Sequence, residues 1–218
     1  MALYVRQLKL GPMDNFVYLV GAAGASETAI VDPAWDVAAA ARAAEEDGRT
    51  LTHALVSHHH FDHVNGVPFV LGRSGIRVFA HRADVPGLSP EVRREVTPID
   101  AGDAVEVGPL RIVAMHTPGH TPGSTCWHAG EGLFAGDTVF VNACGRCDLA
   151  GGDPEQMFQS LRRVSELPPE VRLYPGHDYG DVPISSIARE RERNPYFQKL
   201  SSLSDFVAYR MSPKKPSL

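Results

Sequence analysis

The stretch SHHHFDHVNG, residues 57–66, decides how this chain folds and works. It contains four histidines and one aspartate between positions 58 and 63, directly after THALV, a run that predicts a buried strand. Histidine and aspartate form helices and strands poorly, so clustering them costs stability. A chain offsets such a cost when the clustered side chains bind a metal, because metal binding stabilises the folded state.

The spacing within the stretch predicts two neighbouring metal positions. Side chains at i and i+2 of a strand end point the same way, so His58 and His60 are expected to converge while His59 faces away. Asp62 and His63 follow in a turn that enters a helix, and they can face a second point nearby. Imidazole nitrogen and carboxylate oxygen together suit zinc, and also iron or manganese.

Further candidate ligands lie in three loops, each directly after a predicted strand. These loops are TPGHTPGS with His120, FAGDTVF with Asp137, and LYPGHDYG with His177. Glycine and proline in each loop let the backbone approach a centre closely. A carboxylate has two oxygens, so Asp137 could bridge two metals. The other histidines are interpreted as ordinary packed or solvated side chains: His53, His59, His81, His116 and His128.

The hydrophobic pattern predicts an α+β fold. Strands are expected for LYVRQLKL, NFVYLV, TAIVDP and THALVS, with a helix from Asp36 to Gly48. The second half repeats the scheme with strands AVEVG, LRIVAMH, STCWHAG, GLFAGD and VRLYP. A helix is expected to begin at Asp153 and Pro154, and two helical stretches, ISSIARERER and KLSSLSDFVAYRM, close the chain. Strand-rich units that each precede helices indicate two mixed sheets with helices outside.

Composition excludes several classes of function. Among the 218 residues 43% are hydrophobic, the formal net charge is −5, and the charges are scattered, so no nucleic-acid partner is expected. No apolar run approaches the roughly 18 residues of a membrane span, and no signal peptide is predicted. The odd number of cysteines, Cys126, Cys144 and Cys147, fits a reducing cytoplasm. The CGRC pattern is interpreted as loop cysteines, with a reactive or substrate-contacting thiol as the alternative.

The pattern H-x-H-x-D-H, followed by the TPGH, GD and PGH loops, resembles the metallo-β-lactamase superfamily over residues 57–179. The resemblance implies one αββα sandwich domain, residues 1–218, with a short helical extension at about 181–210 and metals in a cleft at one edge. It implies a first metal on His58, His60 and His120, a second on Asp62, His63 and His177, and Asp137 shared by both.

The closer resemblance is to hydroxyacylglutathione hydrolases (glyoxalase II) and their persulfide dioxygenase relatives, carried by AGDTVFVNACGRCDLAGGDPEQMFQSL and RERNPYF. In those hydrolases the positions of Arg146 and Tyr179 contact glutathione. Asp148 stands where the family has a tyrosine, and the C-terminal helical region is shorter here. The thiol carrier is therefore left open among glutathione, coenzyme A and a carrier-bound thiol.

The resemblance implies a thioester hydrolase with two divalent metals, for which zinc is expected and iron or manganese are alternatives. Asp62 would orient the attacking water and take up its proton. One alternative is a persulfide dioxygenase with a single iron on His58, His120 and Asp137. Another is a non-catalytic metal-binding protein. The aromatic terminal helix, DFVAYRM, makes a homodimer possible.

Overall fold

The computed structural model of the chain describes residues 2–73 and 75–213. Its strands are β1 Leu3–Leu10, β2 Asn15–Ala22, β3 Glu27–Val31, β4 Thr50–Leu55, β5 Arg77–His81, β6 Val96–Ile99, β7 Ala104–Val107, β8 Leu110–His116, β9 Thr125–Ala129, β10 Gly132–Gly136, β11 Val139–Phe140, β12 Ala143–Cys144, β13 Arg172–Pro175 and β14 Ser185–Ser186. Its α-helices are α1 Val37–Glu46, α2 Phe61–Val64, α3 Val67–Leu71, α4 Pro90–Glu95, α5 Pro154–Ser165, α6 Ile187–Arg193 and α7 Leu203–Arg210, with 3-10 turns at Val85–Gly87 and Phe197–Lys199.

The strands form two six-stranded mixed sheets and a small ribbon. The first sheet has the order β1-β2-β3-β4-β5-β6, antiparallel from β1 to β3 and parallel from β3 to β6. The second has the order β14-β13-β10-β9-β8-β7, in which only the β10–β13 pair is parallel. β11 and β12 pair with each other. The predicted pair of mixed sheets is therefore confirmed.

The hydrophobic core lies in three layers, which confirms the αββα sandwich. Alternate residues of β2 face opposite ways: Tyr18 packs between the sheets, whereas Val17 and Leu19 pack under the outer helices α1 and α3. Trp127 of β9 also packs in the layer between the two sheets. A separate apolar cluster joins α5, α6 and α7 to the outer face of the second sheet. Because helices cover the outer face of each sheet, inner strands such as β2 and β10 are buried along their whole length, whereas strands nearer the edges, such as β7 and β8, keep exposed polar residues.

Two predicted helix starts are confirmed by their capping bonds. Asp36 Oδ1 accepts a hydrogen bond of 2.8 Å from the Ala39 N–H at the start of α1. Asp153 Oδ1 accepts from the Glu155 N–H at 2.8 Å, and Pro154 occupies the first position of α5. Gly48 follows α1 with a φ of +69°, the left-handed conformation that ends a helix.

Some boundaries and elements differ from the predictions. ISSIARERER was predicted to be helical throughout, but Ser185–Ser186 is the edge strand β14, and α6 begins only at Ile187. In KLSSLSDFVAYRM the α-helix begins at Leu203, with the Ser202 hydroxyl as its cap. β5, α4 and β6 were not predicted. β6 contains Pro98, which weakens a strand pattern but is tolerated at the edge of a sheet.

The terminal helix α7 packs within this chain. Phe206 is fully buried, and its ring lies 5.5 Å from that of Phe158 in α5. This aromatic side chain is therefore not available for the partner contact that suggested a homodimer, which stays a prediction. Within the described part of the chain, no helix is long and apolar enough to cross a membrane.

Candidate metal centre

The histidine-rich stretch lies beyond the strand that precedes it, not on its end. β4 ends at Leu55, and His60 is the extended residue, with φ −62° and ψ 144°, before the short helix α2. The prediction that strand alternation aligns His58 with His60 was therefore wrong about the cause. The loop brings the two rings together, with centroids 4.8 Å apart, while His59 faces away and places Nδ1 3.0 Å from Asp84 Oδ2.

The structure brings all seven predicted ligands together at one edge of the sandwich. Their donor atoms form three overlapping sets, and within each set the atoms lie within 4.8 Å of one another. We call these residues the metal centre. The sets are His58, His60 and His120; His58, His63 and Asp137; and Asp62, His63 and His177.

Asp137, in the loop after β10, faces ligands of both predicted metal positions. Its Oδ1 lies 3.3 Å from His63 Nε2 and 3.5 Å from His177 Nε2. Its Oδ2 lies 3.4 Å from His120 Nε2. One carboxylate thus presents one oxygen to the ligands of each of the two predicted metal positions, which is the arrangement that a bridging ligand requires.

Two of the histidines are oriented by polar side chains on their second nitrogen. His63 Nδ1 lies 3.0 Å from Asp32 Oδ2, and His58 Nδ1 lies 3.0 Å from the Ser57 hydroxyl. This leaves each Nε2 directed at the centre. His58 Nε2 is buried and has no hydrogen-bond partner among the described residues. A metal ligand is held in this way, because its other ring nitrogen donates to an oxygen nearby.

Two further histidines are oriented by backbone carbonyls. His120 Nδ1 donates to the Arg146 carbonyl and His177 Nδ1 to the Met13 carbonyl, each at 2.8 Å. Their Nε2 atoms therefore also face the centre. The donor set and its outer hydrogen bonds fit divalent metal ions.

Asp32 appeared in the sequence only within VDP, the end of the predicted strand TAIVDP, yet it holds the loop that begins at Ser57 and contains His58 and His60. Its Oδ1 accepts from the Ser57 N–H at 2.6 Å, and its Oδ2 accepts from the Ser57 hydroxyl at 2.7 Å besides contacting His63. Asp32 has a φ of +51°, an uncommon conformation for a residue other than glycine. The VDP pattern was the available indication of this role.

Asp84 was not predicted to have any role, although it is 1% exposed. Its Oδ2 accepts from the His59 N–H at 2.9 Å and from the Thr121 hydroxyl at 2.7 Å, and its Oδ1 accepts from the Gly123 N–H. The carboxylate therefore connects the loop of His58 and His60 to the loop of His120. The His59 ring also lies against this carboxylate, with Nδ1 3.0 Å from Asp84 Oδ2.

Asn15 orients the second aspartate of the centre and was also not predicted. Its Nδ2 donates to Asp62 Oδ2 at 3.0 Å, and its Oδ1 accepts from the Trp35 indole N–H at 2.7 Å. Asp62 Oδ2 also lies 3.3 Å from His177 Nε2. The side chain of Asp62 is therefore held in one position at the edge of the centre.

The electrostatics of the centre favour an ionised Asp137 and a neutral His60, whereas His177 must lose a proton before it can bind a metal. Burial alone would raise the pKa of Asp137, but the nearby charges of His63 and His177 hold it well below its usual range. Burial, reinforced by repulsion from His120, lowers the pKa of His60 to about 4. Burial lowers the pKa of His177, but the charge of Asp137 outweighs it and raises that pKa to about 9. A metal bound at the same carboxylate would compete with this proton.

A cavity of about 770 Å³ opens from the metal centre, and both predicted substrate-contacting residues line it. Arg146 forms a two-pronged ion pair with Asp148, at 3.0 and 2.9 Å. The Tyr179 ring stacks on His177, with centroids 4.6 Å apart and planes 7° apart. The cavity wall also contains residues that are not candidate ligands, and we call this part of the wall the mouth. It includes Met13, Arg146, Leu149, Tyr179, Tyr196 and Arg210.

The family model of the metallo-beta-lactamase superfamily matches residues 10–177 of the chain. The probable polyketide biosynthesis zinc-dependent hydrolase PksB of Bacillus subtilis (strain 168) is 32% identical over 197 residues, which cover 90% of this chain and 87% of that protein. A hydroxyacylglutathione hydrolase of Maricaulis maris (strain MCS10) is 36% identical over 174 residues, 78% of this chain but only 64% of that protein.

Solved structures agree with this match. The crystal structure of ETHE1 from Myxococcus xanthus superposes with a TM-score of 0.87 and is 30% identical in sequence. The match covers 98% of this chain and 92% of that one. The likeness therefore includes the terminal segment that lies beyond the family model.

Proposed function

The chain belongs to the metallo-beta-lactamase superfamily, and on that premise we propose that it hydrolyses acyl thioesters with two divalent metal ions, zinc in the first place. The observation that carries the proposal is the position of Asp137 between two sets of inward-facing ligands. A structural zinc site is closed and usually rich in cysteine. This centre contains only histidine and aspartate and lines an open cavity.

The metals would be held by His58, His60, His120 and Asp137 on one side and by Asp62, His63, His177 and Asp137 on the other. When bound, such a pair lowers the pKa of water and polarises a carbonyl oxygen.

The chain's own groups position and deprotonate the attacking water. Asp62, held by Asn15, orients the water and accepts one of its protons. A carbon–oxygen bond forms at the carbonyl carbon, the carbon–sulfur bond breaks, and the proton passes to the departing thiolate. The products are a free thiol and a carboxylic acid, which loses the second proton of the water to solvent and leaves as a carboxylate. A thiolate is a stable leaving group, so the reaction does not require a separate general acid.

Similar proteins support a thioester but do not decide its carrier. The Maricaulis protein is a hydroxyacylglutathione hydrolase by name, and the Bacillus protein is named as a zinc-dependent hydrolase of polyketide biosynthesis. This chain spans less than two thirds of the first protein but most of the second. We therefore keep glutathione, coenzyme A and carrier-bound thiols as candidate carriers.

A second candidate function is the oxidation of a persulfide at a single iron. It is favoured by the proximity of His58, His120 and Asp137: His58 belongs to one ligand set with His120 and to another with Asp137, and Asp137 Oδ2 lies 3.4 Å from His120 Nε2. Three such side chains leave coordination positions open on a single iron. This triad is part of the metal centre and needs none of Asp62, His63 or His177. The two candidates therefore differ in the number and kind of metals.

The test is elemental analysis of the purified protein followed by two assays. Close to two metals per chain, with thiol release from an acyl thioester that a chelator abolishes and zinc restores, supports the hydrolase. About one iron per chain, with oxygen uptake on glutathione persulfide and no thiol release, supports the dioxygenase and overturns the proposal. Bound metal with neither activity would leave a non-catalytic metal-binding protein.

A further inference from the structure

We propose that Trp35, in the loop after β3, is a positioning residue for the base: it fixes the Asn15 amide in the orientation that holds Asp62. The inference deepens the proposed thioester hydrolysis and rests on it only for the effect on rate. The N–H groups of Trp35 donate to Asn15 and Asn65, neither of which is a candidate ligand. Trp35 therefore acts on the metal centre through its neighbours.

The indole of Trp35 determines which way the Asn15 amide faces. An indole N–H can only donate, so the atom that accepts from it at 2.7 Å must be the amide oxygen of Asn15. The amide hydrogens are then left for Asp62, whose Oδ2 and backbone carbonyl oxygen each accept at 3.0 Å. Reversing the amide would place oxygen against carboxylate and N–H against N–H. Because Asn15 is 1% exposed, bulk water has little access to relieve either contact.

The backbone of Trp35 has a conformation that a large side chain rarely adopts. Its φ is +57°, and the other non-glycine residues of the described chain with a positive φ are Asp14, Asp32 and Asn142. Aspartate and asparagine tolerate this region, whereas a bulky residue there is an outlier that persists only where its surroundings enforce it. The Trp35 N–H donates to Asn65 Oδ1 at 2.6 Å. The loop thus keeps a strained residue at the place from which its indole reaches Asn15.

Trp35 also contacts both ends of α2, the helix that carries two candidate ligands. Its ring lies edge-on to that of Phe61, with centroids 6.1 Å apart and planes at 85°, and Asn65 directly follows the helix. The ring packs against Gly11, where a Cβ would lie 2.3 Å from the indole Cγ. A helix of four residues has little stability of its own, so its position depends on such contacts.

The first measurement follows the hydrogen bond itself, by NMR of the indole N–H groups in the zinc-loaded protein. The chain has two tryptophans and gives two indole signals, of which Trp127→Phe retains the one from Trp35. Asn15→Leu keeps a branched side chain but removes the amide. We expect it to shift the Trp35 signal and to speed its exchange with deuterium about tenfold, the factor for one lost hydrogen bond. An unchanged signal would overturn the inference.

The second measurement is thiol release from an acyl thioester of N-acetylcysteamine, with kcat and KM determined separately. Trp35→Phe keeps an aromatic ring but removes the N–H. We expect kcat to fall about tenfold and KM to change less than about twofold, because Asp62 is displaced while the mouth is unchanged. Asn15→Leu should lower kcat at least as much. The double variant should be no slower than Asn15→Leu, since the indole acts through the amide.

Trp127→Phe is the matched control. It removes the same kind of N–H, which here donates to the Val56 carbonyl at 3.2 Å within the core. We expect it to lower the unfolding temperature and to leave kcat within about twofold of the unaltered protein. Thermal unfolding and metal content are recorded for each variant. If Trp35→Phe does not fold, the indole signal of Asn15→Leu still tests the inference.

Two kinetic results would overturn the inference. Losses that multiply in the double variant would mean that Trp35 supports α2 by packing, independently of Asn15. An unchanged kcat in Trp35→Phe would mean that Asp62 is held without the indole.

The NMR measurement separates this inference from the proposed function. If the unaltered protein releases no thiol from any thioester, the proposed function fails, but the contact between Trp35 and Asn15 is still measured. Competition with a chromophoric chelator then replaces kcat as the readout. A metal affinity that falls in Trp35→Phe and is no lower in the double variant than in Asn15→Leu supports the inference, whereas losses that multiply overturn it.

Discussion

The metal centre and the mouth belong to one cavity but are held in opposite ways. In the centre, side chains such as Asp62 and Asp137 are at most 13% exposed, and each ligating atom is oriented by a contact to a loop or another ligand. In the mouth, Arg146 is 62% exposed, and Arg210 comes from a helix near the end of the described chain. The side chains of the centre are therefore held in position by the protein itself, whereas those of the mouth are expected to find some of their partners in the substrate.

This difference predicts how substitutions should divide. Changes in the centre remove metals or displace ligands, so they lower kcat or metal affinity for every substrate. Changes in the mouth alter the contacts with one carrier, so they act mainly on KM for that carrier. Each prediction below tests this division, beginning with the largest expected effect.

Replacing the shared carboxylate should have the largest effect. We expect Asp137→Asn to lower kcat/KM by about a thousandfold or more, because the two ligand sets lose the anion between them. Thiol release and elemental analysis measure the result, and Asp100→Asn, an exposed residue paired with Arg82, is the control. Full activity with two metals retained would contradict a bridging role.

Replacing Asp32, which orients the candidate ligand His63, should have a smaller effect that falls mainly on one of the two metals. Asp32→Asn keeps the shape of the side chain but removes the charge beside His63 Nδ1. We expect metal affinity to fall about tenfold to hundredfold. Competition with a chromophoric chelator measures this affinity, and the more weakly bound metal should be the one lost. Equal weakening of both metals would show that Asp32 supports the whole loop and not one ligand.

The sequence was sufficient to predict the seven candidate ligands that the structure brings together, because all of them lie in short motifs. Four are in H-x-H-x-D-H, and the other three each directly follow a glycine. It was not sufficient for the residues that orient them. Asp84 lies 25 residues from His59 and 37 from Thr121, so only the tertiary structure shows that it joins their loops. Nothing in the run of residues around Asp84 distinguishes it from a surface aspartate.

The fold shows the same limit. Long strands and capped helices such as α1 and α5 were predicted because their patterns are local. β6, with four residues and a proline, has no such pattern and forms because β5 pairs with it in parallel. Of the residues of the mouth, only Arg146 and Tyr179 were predicted, because they lie in recognisable motifs. The contribution of Arg210 depends on how α7 packs against α5, which no local pattern specifies.

Replacing Asp84 tests whether the contact between the two ligand loops is needed for activity. We expect Asp84→Asn to destabilise the fold by about 1–3 kcal/mol, because buried hydrogen bonds to a charged acceptor are weakened. Activity should fall about tenfold, since the loop of His120 is released from the loop of His60. Urea unfolding and kcat on a neutral thioester measure the two effects. A change in KM for only one carrier would instead assign Asp84 to the mouth.

The smallest effect is expected at Arg146, although the family resemblance assigns it to the substrate. Asp148 already satisfies both prongs of its guanidinium, and exposed ion pairs of this kind contribute about 0–1 kcal/mol. Arg146→Met should therefore change KM for a glutathione or coenzyme A thioester less than about fivefold and leave kcat unchanged. Asp148→Asn frees the guanidinium and should lower KM for the same charged thioesters.

Together with Arg210→Met, which removes the other arginine of the cavity, these two variants decide which arginine recognises the carrier. If Arg146→Met raises KM as strongly as Arg210→Met, the Asp148 pair must open when substrate binds, and recognition is shared across the mouth. If Asp148→Asn leaves KM unchanged while Arg210→Met raises it, the charge of the carrier is met at α7 alone. In either case kcat should stay constant, because none of these side chains orients a ligand through its own polar atoms.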